Sequence, residues 1–386
     1  MEPELWRNIR FICDQIVAWQ APGGGIDLVT CLYHRDTPWG RPSAFGQDMP
    51  WLSRALYGAY DVLGDPTYKA AADRYAVFFI ACLYDGAPAF ALGGALEPCC
   101  KLYREHNRGE DSLGNLYWNR SKAKALFDWL LEWRTDDGCY FRCGYGWRDD
   151  QGVMHDDQDV GYSNDLSDVG RGLVGYYQMF KNGTALKHAL SLAQYYLNEH
   201  EPGSLRGVWS SRLGTWLVGP RHNAGFENIG THADEVGWGW SAYYVLLFLL
   251  RLHDCIADPE LKAAIRDRCL MSLRWTFDAC QFEDGALGMS GRDDKWLGQT
   301  AMSVLQYDEL ARRGLIDAET RRLYYPKVMK ALGWLQQWTR PETLPPDGYV
   351  PVTGLSRPWP GWNTSWQFGL AVDGLLATPA IQSYGA

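Results

Sequence analysis

Two kinds of helix alternate along this chain, and the alternation constrains its fold more than any other feature. Apolar residues recur at helical spacing and predict helices at about 3–20, 49–63, 66–84, 91–106, 120–135, 165–181, 184–200, 237–254, 258–281, 297–313, 318–339 and 364–377. One kind is rich in Gly, Ala and Ser, as in 51–60, 169–177, 236–244, 296–305 and 366–376. Small side chains let helix backbones approach closely, at some cost in helix propensity. The other kind carries charge along one face, as in 66–84, 184–200, 258–281 and 317–339, which marks an outer, solvent-facing helix. Three outer helices open with a turn and a capping residue: Gly64-Asp65-Pro66, Asn182-Gly183-Thr184 and Ala257-Asp258-Pro259. Helix 91–106 is the weakest reading, because Pro98 interrupts it.

Small-residue and amphipathic helices in alternation make an internal repeat of roughly 50–70 residues. The closed solution is an all-α (α/α)6 toroid, a single domain over 1–386 with inner helices around a funnel and outer helices around them. An open α-solenoid that binds protein is the alternative. The long connectors 39–47, 136–163, 202–231 and 340–363 argue against it, since they lead into inner helices and loops of that length usually carry function. Strand-like alternation is short and confined to Gly-rich connectors such as 138–146 and 203–219.

Composition narrows the partners. The net charge is −9 and no run of Lys or Arg exceeds two residues, which excludes nucleic acid and an anionic membrane surface. The longest apolar stretches, 77–84 and 243–250, fall short of the ~20 residues a membrane span needs. The acidic, amphipathic N-terminus has no apolar signal-peptide core, so a cytoplasmic protein is expected. The ten Cys are scattered; neither Cys99–Cys100 nor Cys139/Cys143 has a His completing a zinc pattern, and reduced structural thiols are expected. Trp 19 and Tyr 22 against Phe 13 is a heavy load of rings with polar handles. Such rings fill cores and also form platforms for sugar rings. Trp39, Trp147, Trp238, Trp296, Trp362 and Trp366 lie in or at the ends of connectors, and at least two are expected to be open platforms in the funnel.

Acids collect where inner helices begin: Asp48, Asp165 and Asp168, then His232 with Asp234 and Glu235, and Arg292 with Asp293. Any one of them suits a helix N-terminus as a cap or a first-turn charge. In a toroid these termini converge on one rim, and a pair of carboxylates flanking a sugar is the usual equipment of glycosidic chemistry. Gly-x-Ser-x-Gly, Walker, dinucleotide and His-Glu-x-x-His motifs are absent. The acidic run 155–159 lacks EF-hand spacing, so no metal and no cofactor is expected.

Two stretches resemble the unsaturated glucuronyl hydrolases and unsaturated rhamnogalacturonyl hydrolases, which are (α/α)6 toroids. Gln47-Asp48-Met49-Pro50-Trp51 with Leu63-Gly64-Asp65-Pro66-Thr67-Tyr68 is similar to that family's acid-bearing inner helix and the outer-helix start after it. The segment 231–243 resembles the family stretch with a His, an acid, a Trp and a Gly-Gln-Ala-Trp-Gly core, although Gly239-Trp240-Ser241 departs from that core and Trp238 replaces its usual Arg. The resemblance implies hydration of a C4=C5 double bond in a terminal unsaturated uronic acid of an oligosaccharide. Asp165 or Asp168 would be the general acid/base, Asp48 its partner carboxylate, and His232 a binding or proton-handling group. Arg171 or Arg292 would meet the substrate carboxylate, with Asp234, Glu235, Asp293 and the six tryptophans as further contacts. Ordinary hydrolysis would use the same acids. A lyase would use His232, Asn164 and Tyr162. An epimerase would need a second His beside His232, for which His222 and His34 are available, and a non-catalytic toroid would need only the platforms. Sugar identity and oligomeric state are not legible.

Overall fold

The structure, a computed structural model, describes residues 3–25, 48–83, 85, 87, 89–106, 120–134, 145–148, 154–157, 163–201, 207–218, 236–292, 295–344, 349–350 and 365–385. Within them the chain is overwhelmingly helical. The helices are α1 (Glu4–Ala18), α2 (Asp48–Leu63), α3 (Pro66–Cys82), α4 (Ala89–His106), α5 (Arg120–Glu132), α6 (Ser163–Phe180), α7 (Gly183–Leu197), α8 (Gly239–His253), α9 (Pro259–Ala279), α10 (Leu297–Ala311), α11 (Ala318–Trp338), α12 (Ser365–Leu376) and the short α13 (Thr378–Ser383). Three antiparallel ribbons accompany them: β1 (Tyr145–Arg148) with β2 (Met154–Asp157), β3 (Trp209–Ser210) with β4 (Thr215–Trp216), and β5 (Lys295–Trp296) with β6 (Tyr349–Val350). The acidic run read at 155–159 thus enters a strand, and no group of three or more metal-ligating side chains occurs among the described residues. No helix of the described residues is long and apolar enough to cross a membrane.

The caps read from sequence form. Asp65 Oδ1 accepts from Thr67 N at 2.9 Å, Asn182 Oδ1 from Ala185 N at 3.0 Å, and Asp258 Oδ1 from Glu260 N at 2.9 Å. Helix α4, the weakest reading, forms as predicted, beginning two residues earlier and running through Pro98. A proline inside a helix costs about 3 kcal/mol relative to Ala. Packing of the preceding turn outweighs that cost: Gly93 lies so close to α6 that a Cβ there would be 2.6 Å from Val169 Cα.

The helices gather into two compact units, Met1–Phe79 with Leu273–Ala386, and Ile80–Ser272. In the first unit α12 packs against both α2 and α10. The three run parallel: Gly369 of α12 faces Trp51 of α2, and about one turn on Asp373 pairs with Arg54 at 2.9 Å. Helix α1 covers α12 and α2, with Trp19 edge-on to Phe368 at 5.2 Å, and α11 covers α10 and α12. An ionic cluster lies in the later turns, where buried Glu309 pairs with Arg312 and with Arg313 at 2.6 Å. Burial pushes the Glu309 carboxyl up, but the guanidinium groups of Arg312, Arg54 and Arg313 outweigh it and hold it below its ordinary range.

The second unit repeats the plan. Helix α6 packs against α4 and α8, and α5 and α7 cover it from outside. A Cβ on Gly172 would sit 2.5 Å from Gly93 O, so small residues let α4 and α6 touch backbone to backbone. Phe127 of α5 stacks on Tyr176 of α6 at 4.4 Å with the rings 4° from parallel. Nearly every side chain of α8 is buried, as an inner helix requires.

Candidate active site

The second unit places buried charge at the start of α6. Asp165 is 1% exposed, Asp168 3% and Arg171 8%. Ions are expensive to bury unless paired, and a helix lined by Gly, Val and Leu has no structural need of three of them. Their spacing, i, i+3 and i+6, sets them in the first three turns on neighbouring faces.

Backbone bonds fix that end of α6. Ser163 N donates to Val218 O at 2.8 Å, and Ser163 Oγ to Leu217 O at 2.7 Å. Val218 N in turn donates to Val236 O at 3.2 Å, and Leu217 bridges Gly237. The segment after β4 therefore ties the entrance of α6 to the entrance of α8. Tyr196 Oη donates to Ser163 O at 2.7 Å, and Trp216 Nε1 to Tyr196 O at 2.8 Å, so two buried aromatic rings from α7 and β4 hold the same junction.

The two aspartates have different partners. Asn164 Nδ2 donates to Asp165 Oδ1 at 2.8 Å, a bond from a neutral donor. Asp168 Oδ1 is ion-paired with Arg171 Nη2. The guanidinium also faces Glu97 of α4, Nη1 to Oε2 3.8 Å, and lies 5.7 Å from the centroid of the Tyr244 ring of α8. Glu97 pairs through its other oxygen with Arg251 near the end of α8. Asp168, Arg171, Glu97 and Arg251 form a chain of alternating charge drawn from all three inner helices of this unit. Two polar atoms at the same end, Asn164 Oδ1 and Ser241 Oγ, are buried without a hydrogen-bond partner among the described residues.

Several expected residues are brought to this end of the unit and several are not. Asp165, Asp168 and Arg171 share α6, and Trp238 directly precedes α8. Arg292 is exposed and donates to Asp278 O at 3.5 Å. Asp48 opens α2 in the first unit. Trp147 lies on β1 opposite His155. Trp39, His232, Asp234, Glu235, Asp293 and Trp362 lie outside the described residues, as does Tyr162. Of the six tryptophans among which at least two open platforms are expected, the three with described side chains, Trp238, Trp296 and Trp366, are all buried. Trp238 stacks on Trp240 at 4.7 Å, and Trp366 covers Gly298 at the start of α10. Both rings spend their faces on packing. Sequence reasoning missed Glu97 and Arg251. Each is a lone charge in a run of small or apolar residues, and that contrast was the available signal.

Scans of protein-family models and of curated proteins find no match for the chain. Solved structures do match along almost its whole length. It is similar to an unsaturated glucuronyl hydrolase specific for heparin, with a TM-score of 0.64 and 10% identity over 98% of both chains. A sugar epimerase from a ruminal bacterium superposes with a TM-score of 0.62 and 12% identity, covering 96% of this chain and 98% of its own. A polysaccharide lyase does so with a TM-score of 0.58 and 14% identity over 98% of both chains. These likenesses show the fold class, all-α (α/α)6, that the helix alternation predicts. Three chemistries at similar distance show that the fold alone does not decide the reaction.

Proposed function

We propose that the protein is a carbohydrate-active enzyme, a glycoside hydrolase of the unsaturated glucuronyl type that hydrates the C4=C5 bond of a terminal unsaturated uronic acid. The observation that carries this reading is the buried pair Asp165 and Asp168 on one inner helix, with Arg171 ion-paired to Asp168. A guanidinium beside one carboxyl group of a pair favours the ionised form of that group. A carboxylate paired with Arg keeps its charge and is a poor donor, so Asp168 takes the fixed role. Asp165, nearer the helix start, takes general acid/base.

In this reading Asp165 gives its proton to C4 and a water oxygen bonds to C5. The leftover water proton returns to the carboxylate, and the hemiketal at C5 opens to release the rest of the oligosaccharide. One water is consumed and the acid is regenerated. The family-like segment 231–243 supports this chemistry over epimerisation.

The test is incubation with unsaturated uronyl oligosaccharides, following the ultraviolet absorbance of the conjugated double bond. Loss of absorbance supports hydration. A gain on intact polysaccharide would replace it with elimination, and unchanged absorbance with new reducing ends would replace it with ordinary hydrolysis.

A further inference from the structure

We propose that Arg171 is a positioning residue, acting on turnover through Asp168 and not by meeting the substrate carboxylate. The proposal rests on the hydration reading above and assigns that site's internal support. Three observations carry it. The guanidinium is nearly buried. Its two Nη groups are directed at protein carboxylates, Nη2 at Asp168 and Nη1 at Glu97. One face is turned to the Tyr244 ring. The flat fork of Arg suits this use, because it meets two acceptors at fixed angles while its face stacks on an aromatic ring. A substrate carboxylate seeking this cation would have to displace an acid already in place.

The far end of the chain of charges fixes the near end. Arg251 holds Glu97, Glu97 faces Arg171, and Arg171 holds Asp168. Two cations and two carboxylates neutralise one another, buried at Asp168 and Arg171 and half-buried at Glu97 and Arg251, so the members of the set are interdependent. Asp168 and Asp165 are three residues apart on α6, so their Cβ atoms lie about 5–6 Å apart. A carboxylate held still at that distance can act on the chemistry at Asp165 only while Arg171 holds it.

The experiment measures kcat, KM and melting temperature on an unsaturated glucuronyl disaccharide for wild type, Arg171→Met, Arg171→Lys, Asp168→Asn and the Arg171→Met/Asp168→Asn double variant. Arg171→Met is expected to lower kcat by about 10–100-fold with KM changed less than about threefold, and Arg171→Lys to recover part of the loss. The double variant is expected to be no slower than the slower single one, because both changes remove one function. A tenfold or greater rise in KM with kcat near wild type would make Arg171 a substrate contact and overturn the proposal, as would multiplicative losses in the double variant or unchanged kcat. Should Arg171→Met fail to fold, Arg171→Lys decides: a kcat loss at constant KM supports positioning, and a KM rise overturns it. Wild-type inactivity on the disaccharide would instead be a failure of the hydration reading, distinguishable because no variant enters it.

Discussion

The two units share a plan, three parallel small-residue helices in contact, and fill it with different chemistry. In the second unit α6 begins with buried Asp165, Asp168 and Arg171. In the first unit the starts of α10 and α12 carry Gln299, Thr300, Ser303 and Gln367, which are neutral and equally buried. Their bonds are made close by: Gln299 Nε2 donates to Ser303 Oγ at 3.2 Å, Gly298 N to Gln367 Oε1 at 3.0 Å, and Thr300 Oγ1 to Trp296 O at 2.8 Å. The first unit's ions, Arg54, Asp373 and Glu309, occur farther along their helices. The bonds that these buried amides and hydroxyls make are to groups close at hand. Buried ions recruit partners from neighbouring helices, and the second unit's chain of charges reaches α4 and α8 to do so. A similar backbone arrangement thus carries neutral polar groups at the helix starts in one place and buried charge in another.

The sharpest way to break this comparison is to remove ionisation from each helix start. Asp165→Asn is expected to lower turnover of an unsaturated uronyl substrate by about 10²–10⁴-fold while the fold persists. Gln299→Leu in the first unit is expected to leave turnover within a few-fold; a loss there comparable to that of Asp165→Asn would erase the distinction. Asp48→Asn, read in the same assay, asks whether the partner role implied by the resemblance holds, and near-wild-type activity would remove Asp48 from it.

Packing supplies the next largest effect, and here the units should agree. Gly172→Ala and Gly369→Ala each drive a methyl into backbone, 2.5 Å from Gly93 O and 2.8 Å from Trp51 O. Each is expected to cost about 1–3 kcal/mol in urea unfolding. Gly333→Ala on α11, with nothing within 4 Å, is expected to stabilise by up to about 1 kcal/mol. If all three behave alike, close approach is not what these glycines serve.

Acid should separate the units again. Burial, then Arg134 and Lys187, hold the His188 ring on α7 below its ordinary 6.5, so the unfolded chain takes up the proton first. Stability contributed by His188 is present above pH 6.5 and falls as pH drops through it. Glu309, held below its ordinary 4.5, contributes stability above that pH and loses it on further acidification. Melting temperatures between about pH 7.5 and about pH 3 should show His188→Gln flattening the upper part of the decline and Glu309→Gln the lower; the reverse assignment would contradict both signs. The smallest effect belongs to caps: Asn182→Ala and Asp317→Ala should each cost about 1 kcal/mol, since each side chain accepts from a first-turn N–H.

Periodicity carried most of the fold because burial writes it directly into residue spacing. The alternation of small and amphipathic helices matches the described elements within a few residues at each end. Pro98 weakened the reading of α4 because a local rule is set against tertiary contact at Gly93, which no local pattern reveals. At the site, Asp165 and Asp168 were legible as acids at an inner-helix start, but the ion pairs around Arg171 were not. They involve Glu97 and Arg251, far away in sequence. The tryptophans were legible as a class and not one by one, since the same ring serves a core or a sugar and only its surroundings decide.

The tie between Ser163, Val218 and Val236 has a consequence for engineering. Val218 and Val236 are joined by backbone hydrogen bonding, so the excursion through 219–235 leaves from and returns to one point beside the start of α6. That excursion holds His232, Asp234 and Glu235. Because both ends are anchored at that point, the segment between Val218 and Val236 is the natural place to exchange sequence in order to ask whether it sets what the proposed site accepts.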